Sequence, residues 1–101
     1  MFDIISKLGE VKKKMEEMKV RLGNIYLDAE AGEGRVKITV NGNRQIKSVL
    51  IDDSLMNPES REELQDLLEV AMNRALEKAE ATNEAEMKAA GRDFLPGMPG
   101  F

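Results

Sequence analysis

The residue types that carry most enzymatic chemistry are missing from this sequence. It contains no His and no Cys, which removes the commonest general base, the commonest metal ligand, any thiolate nucleophile and any disulfide. Asp52 and Asp53 are adjacent, so their carboxylates diverge and suit turn formation better than paired acid–base work. Ser54 has no visible base to activate it. Gly32-Glu33-Gly34 is too short for a phosphate-binding loop of the known glycine spacings. No catalytic residue, cofactor-binding motif or metal-ligand set is expected. The reactive groups that remain are cations, and their chemistry is electrostatic.

These cations are unevenly distributed along a chain of net charge −4. Residues 1 to 23 hold six basic and four acidic groups, residues 24 to 51 hold four and three, and residues 52 to 101 hold five and twelve. A polyanion would therefore meet the first half of the chain. Lys7, Lys14 and Arg21 recur every seven residues, Lys12 and Lys19 repeat the same interval on another line, and Lys13 points outward. Glu10 precedes Lys14 by four and Glu17 precedes Arg21 by four, an orientation that favours pairing along a helix and occupies those two cations. Lys12, Lys13 and Lys19 have poorer partners and are the better phosphate contacts, although a charge run on a helix is more often a solvated face.

Five elements must position these groups. From Asp3 to Leu22 the residues Ile4, Leu8, Val11, Met15, Met18 and Leu22 recur at intervals of 3 and 4. At about 100° per residue they share an arc of roughly 80°, the narrow seam of a two-helix contact. A helix of that length runs about 30 Å and part of it should project. Gly23-Asn24 is a helix stop with residues that tolerate left-handed backbone. Ile25 to Ala31, Arg35 to Asn41 and Arg44 to Ile51 read as three antiparallel strands in a meander. In the second, Val36, Ile38 and Val40 alternate with polar residues, and Asn41-Gly42-Asn43 reads as a tight hairpin turn with positive φ. Ile46, Val49 and Ile51 break the alternation, and one extra residue near Lys47 or Ser48, a β-bulge, restores it with Val49 and Ile51 on the core side.

Asp52 to Met56 reads as a turn with a short helical piece. Asn57 as N-cap, Pro58 at the first position and acids in the first turn then start a second long helix. Leu64, Leu67, Leu68, Ala71, Met72, Ala75, Leu76 and Ala79 supply its apolar face. Met15, Met18 and Met72 lie on these helical stripes and read as core rather than as an adaptable groove. Beyond Ala79 there is little to bury, so the helix should project or fray until Gly91 ends it. Residues 1–90 thus form one α-β-β-β-α domain of the α+β class, and 91–101 form a flexible Pro/Gly-rich tail whose Phe94, Leu95, Met98 and Phe101 are apolar enough to dock. No run reaches the roughly 18 to 20 apolar residues of a membrane span and no signal-like leader is visible, so a cytoplasmic location without membrane contact is expected.

Taken together, Gly34-Arg35-Val36-Lys37-Ile38-Thr39-Val40-Asn41-Gly42, then Val49-Leu50-Ile51-Asp52-Asp53-Ser54-Leu55 at the matching distance, and a Leu-Pro-Gly-Met-Pro-Gly-Phe end resemble the YbaB/EbfC family of bacterial nucleoid-associated proteins. The likeness spans nearly the whole chain. Asp53 stands where that family often has Pro, and the Gly/Gln/Met-rich lead of many members is missing. The resemblance implies a homodimer in which the sheets of two protomers join and the long helices protrude as tweezer-like arms. It also implies double-stranded DNA as partner with little sequence preference, a nucleoid-associated location, and neither catalysis nor cofactor. The candidate DNA-binding residues are Lys12, Lys13, Lys14, Lys19, Arg21, Arg35, Lys37, Arg44 and Lys47, acting on phosphates. No base-reading helix or zinc finger is visible, and one Tyr and three Phe are too few for a base-stacking platform. The alternative is a protein-interaction or scaffold dimer that grips its partner with the protruding helices and apolar tail, a reading favoured by the acidic second half.

Overall fold

A computed structural model describes residues 2–94 of the chain, and side-chain surroundings for residues 4–92. A helix α1 (Phe2–Gly23) leads into strands β1 (Tyr26–Ala31), β2 (Val36–Asn41) and β3 (Ile46–Ile51), and a long helix α2 (Arg61–Phe94) closes the order. Two short 3₁₀ turns, Asp53–Leu55 and Pro58–Ser60, lie between β3 and α2. The class is α+β, with an antiparallel meander in the order β1-β2-β3.

Alternation in β2 does what period-two patterning requires, because Val36, Ile38 and Val40 are buried while Lys37 is exposed. Across β1 these positions face Ala31, Ala29 and Leu27, and across β3 they face Ile51, Val49 and Ile46. Directly paired residues share a face, so Val49 and Ile51 lie on the core side as expected. The register shifts between Thr39 and Val40, which pair with Ser48 and Ile46 and leave Lys47 as the extra residue of a bulge.

Over this face α2 crosses β1 and β2. Ala71, Ala75 and Ala79 are fully buried at intervals of four, and their small side chains let the helix approach the sheet closely. Leu64, Leu67, Leu68 and Met72 flank that ridge half-buried, and Leu55 from the first 3₁₀ turn completes the core. Leu76, expected on the apolar face, is exposed, since it sits a full 100° around the helix from Ala75.

Several local expectations are corrected. Asn57 caps the 3₁₀ turn, its Oδ1 accepting from Ser60 N at 2.9 Å, and the α-helix proper begins at Arg61. Gly91 does not end α2, which continues to Phe94, and Ala90 and Gly91 are half-buried. Beyond Ala79 the helix also buries more than its composition suggests, because Thr82, Asn83, Glu86 and Ala90 lie half-buried on its inner side. Residues 91–94 of the expected tail are therefore helical, and 95–101 lie outside the described residues. At the end of α1 neither Gly23 nor Asn24 takes a positive φ. The helix closes instead through i→i+3 bonds, Asn24 N to Arg21 O and Ile25 N to Leu22 O.

The hairpin turn differs from a two-residue Asn-Gly connection. Asn41 N donates to Gln45 O, Arg44 N donates to Asn41 O, and the left-handed residue is Arg44 at φ 62°. Gly42 serves contact rather than φ. Its N–H donates to Leu22 O at 2.9 Å, and a Cβ there would stand 2.8 Å from Leu22 Cδ2 and 2.9 Å from Leu22 O. Buried Asn41 completes the joint: its Oδ1 accepts from Asn43 N and Gln45 N, and its Nδ2 donates to Gln45 Oε1 and Gly23 O.

Candidate nucleic-acid interface

The joint between hairpin and α1 sets the direction of the arm. Leu22 and Met18 are buried at its base, whereas residues 4 to 17 of α1 are exposed throughout. The arm projects from the sheet beside the last turns of α2. Asn83 Nδ2 donates to Gly42 O at the base of the arm, and Arg21 donates to Glu86 through Nε at 3.1 Å and through Nη2. Arg21 thus takes its partner from α2 and not from Glu17, one turn earlier on its own helix.

A groove of about 520 Å³ runs between α1, the hairpin turn and α2. Lys12, Lys19 and Arg44 line it together with Asn43 of the turn, Met15, Met18 and Leu22 of α1, and Asn83 and Met87 of α2. Asn43 Nδ2 donates to Lys19 O at 2.8 Å, which ties the turn carrying Arg44 to the helix carrying the lysines. Glu16 is the one acid on the lining. Three cations from two elements around one concavity give it a positive potential that suits an anion. Lys13 and Lys14 are exposed on the same arm.

The remaining candidates separate from this groove. Arg35 is folded into the structure: its Nε donates to Gly32 O at 3.1 Å and its Nη1 pairs with Glu63 at 2.7 Å. Lys37 stands on the sheet face opposite α2, near Asp28, Thr39 and Leu50. Lys47 is the exposed bulge residue. Two cations absent from the expected set have a clear structural role. Arg74 Nη1 donates to Glu30 O at 2.9 Å and Lys78 Nζ donates to Asp28 O, so both side chains of α2 cover carbonyls of the outer edge of β1. Their four-residue spacing on α2 was the available signal, but nothing local indicates that the carbonyls of a strand 44 and 50 residues away would lie beside them.

Among the described residues no group of His, Cys, Asp or Glu side chains could hold a metal ion, and no helix is long and apolar enough to cross a membrane. Residues 1–94 match the model of the YbaB/EbfC DNA-binding family. The chain belongs to that family. The family is a DNA-binding one, which agrees with a groove whose charged lining is three cations and one acid. Curated relatives carry the name nucleoid-associated protein: one from Flavobacterium johnsoniae is 41% identical, with all of this chain aligned to 93% of that one. Another from Bartonella bacilliformis is 40% identical over the same shares of the two chains. The fold is also similar to a crystal structure of an uncharacterized protein from Helicobacter pylori, with a TM-score of 0.74 at 24% identity, covering 89% of this chain and 91% of that one.

Proposed function

We propose that this YbaB/EbfC protein binds duplex DNA in the bacterial nucleoid with little sequence preference, as a homodimer that presents two basic arms. The observation that carries this reading is the convergence of Lys12, Lys19 and Arg44 around one groove, with Lys13 and Lys14 exposed on other faces of the same helix. Such a surface offers its charge to phosphates, whose contacts fix position and carry no sequence information. Glu16 is the one acid on the groove lining, and most acids of α2 lie elsewhere. Glu62, Asp66, Glu69, Glu77, Glu80 and Glu84 are all exposed, and their spacing puts them on the face of α2 turned away from the sheet. Segregation of this kind orients the protein on a polyanion and weakens the scaffold reading, which drew on the acidic total.

Dimerisation along the β3 side is supported by the contrast between the two sheet edges. The β1 edge is covered by Arg74 and Lys78, while β3 is the other edge strand and α2 packs mainly on β1 and β2. Ile46 and Val49 on its core-side face remain 52% and 45% exposed, and Leu76 is exposed on the flank of α2 that leans the same way. A second copy joined there would bury this apolar strip and set two arms on one assembly.

Fluorescence anisotropy with duplexes of unrelated sequence tests the reading. If a dimer engages about six phosphates, log K falls with log salt at a slope of about −5, roughly a thousandfold between 50 and 200 mM. Near-equal affinity across sequences and a solution mass twice the 11.3 kDa chain complete the expected result. A flat salt dependence, or a monomer at binding concentrations, refutes it.

A further inference from the structure

Set in heptads lettered a to g, the side chains of α1 sort by charge. Leu8, Met15 and Leu22 fall at a, and Ile4, Val11 and Met18 at d, which makes the apolar seam. On one flank Lys7, Lys14 and Arg21 fill the g positions, and on the other Ile5, Lys12 and Lys19 fill the e positions. Glu10 and Glu17 fall at c and Glu16 at b, so no described acid of α1 holds a flanking position.

The inner end of this seam is already in use. Met18 and Leu22 are buried, α2 lies alongside the base of α1, and Arg21, a g residue, pairs there with Glu86 of α2. Further out, Val11 and Met15 are 37–38% exposed, and Ile4, Ile5 and Leu8 rise to 63–64%. From Met15 to Ile4 is about 16 Å of helix at 1.5 Å per residue, or nearly two heptads of open seam.

We propose that the outer seam of α1 receives an amphipathic helix of another protein, with apolar residues at heptad spacing and carboxylates on both flanks. The contact repeats outward the pairing that Arg21 makes with Glu86. Charge selects this occupant over a second α1. Parallel helices set g against e, and antiparallel ones set g against g and e against e, so two copies of α1 bring lysine against lysine in either direction. A membrane surface rewards the apolar area that a helix can bury, and this seam is confined to an arc of roughly 80°. The contact draws on the basic arm rather than on the acidic total of the chain, and it does not require duplex binding.

Fluorescence anisotropy of labelled three-heptad peptides against the full-length protein, without DNA, tests it. One peptide carries Leu at a and d with Glu at e and g, and the other replaces each Glu by Lys. The parent protein should bind the Glu peptide at least roughly tenfold more tightly than the Lys peptide. Leu8→Ser with Val11→Ser, two substitutions outside the buried core, should weaken the Glu peptide about tenfold or more. Lys7→Glu, Lys12→Glu and Lys14→Glu together should reverse the preference, a gain of binding that a misfolded chain does not give. Equal binding of the two peptides, binding of neither by the parent, or an unchanged preference for the Glu peptide after charge reversal overturns the proposal. Attachment of the parent to phosphatidylglycerol vesicles without Glu-peptide binding also overturns it, by assigning the seam to a membrane. So does a solution mass beyond the pair that drops with Leu8→Ser and Val11→Ser, which would put a second copy on the seam.

Discussion

Replacing Gly42 by Ala tests the joint on which the arm depends. The change adds one methyl group, and the left-handed backbone that usually explains a turn glycine is not involved, since Arg44 holds that conformation. The new Cβ would lie 2.8 Å from Leu22 Cδ2, 2.9 Å from Leu22 O and 3.1 Å from Leu22 Cβ. The side-chain end can rotate away; the backbone oxygen accepts from Gly42 N itself and cannot retreat without stretching that bond. Overpacking of this kind costs about 1 to 3 kcal/mol, and losing the hydrogen bond costs about 0.5 to 1.5 kcal/mol net. Against this stands a gain of about 0.4 to 1 kcal/mol from the smaller entropy of the unfolded chain. The steric cost prevails, with net destabilisation of about 2 kcal/mol at the middle of these ranges. For a domain of this size that lowers Tm by roughly 5 to 15 °C, at fixed protomer concentration. Thermal denaturation followed by circular dichroism measures it, and amide exchange should place the loss at Leu22 to Gly42 first. A Tm equal to or above that of the parent would show that Gly42 is not the contact residue described above.

Gly9 is the matched control, because nothing lies within 4 Å of a Cβ built there; Gly9→Ala should stabilise α1 by about 0.5 to 1 kcal/mol, seen as increased helicity and slower amide exchange in the arm. Charge reversal at Lys12, Lys19 and Arg44 should weaken duplex binding and reduce the salt slope by about 1 for each phosphate no longer neutralised, while Lys37→Glu on the far sheet face should change it less. The Arg21–Glu86 pair is exposed on the arginine side, so a double-mutant cycle should return less than about 1 kcal/mol. Asp52 accepts from Ser54, and these hydrogen bonds, more than the nearby Arg35 charge, hold its carboxyl below the ordinary value of 3.8. The folded state therefore binds that proton less readily than the unfolded one. Its contribution to stability is present above pH 3.8 and fades as pH falls through the lowered folded value, and acid denaturation of Asp52→Asn should lack that component.

Much of this architecture is legible locally because local forces decide it. Alternation in β2 identifies the buried face, the broken alternation after Ile46 narrows the bulge to Lys47 or Ser48, of which Lys47 is the unpaired one, and the 3–4 spacing of Ile4 to Leu22 marks a seam that is covered where α2 lies alongside. What sequence leaves hidden depends on neighbours distant along the chain. Asn-Gly signals a turn, but only the packing of α1 against it makes Gly42 a contact glycine. Gly91 has the composition of a stop, yet helix continues through it to Phe94. Glu17 is well placed for Arg21 by helical geometry and loses to Glu86, which the fold brings from 65 residues away. In the site, the arm lysines are visible as a basic run, while their convergence with Arg44 requires Asn43 to hold the turn against Lys19 O.

The two cations laid over β1 also bear on how far association can proceed. An exposed strand edge is a template on which further copies can add without limit. Here Arg74 and Lys78 occupy carbonyls along one edge, and a single growing side remains per chain. In the proposed homodimer, two such chains meeting through their open sides would exhaust both and leave a closed pair with twofold symmetry and no propagating end. Arg74→Ala with Lys78→Ala would uncap the second edge, and light scattering that grows over days would then show that those two side chains stand between the proposed closed pair and open-ended growth, whereas unchanged scattering would refute that role.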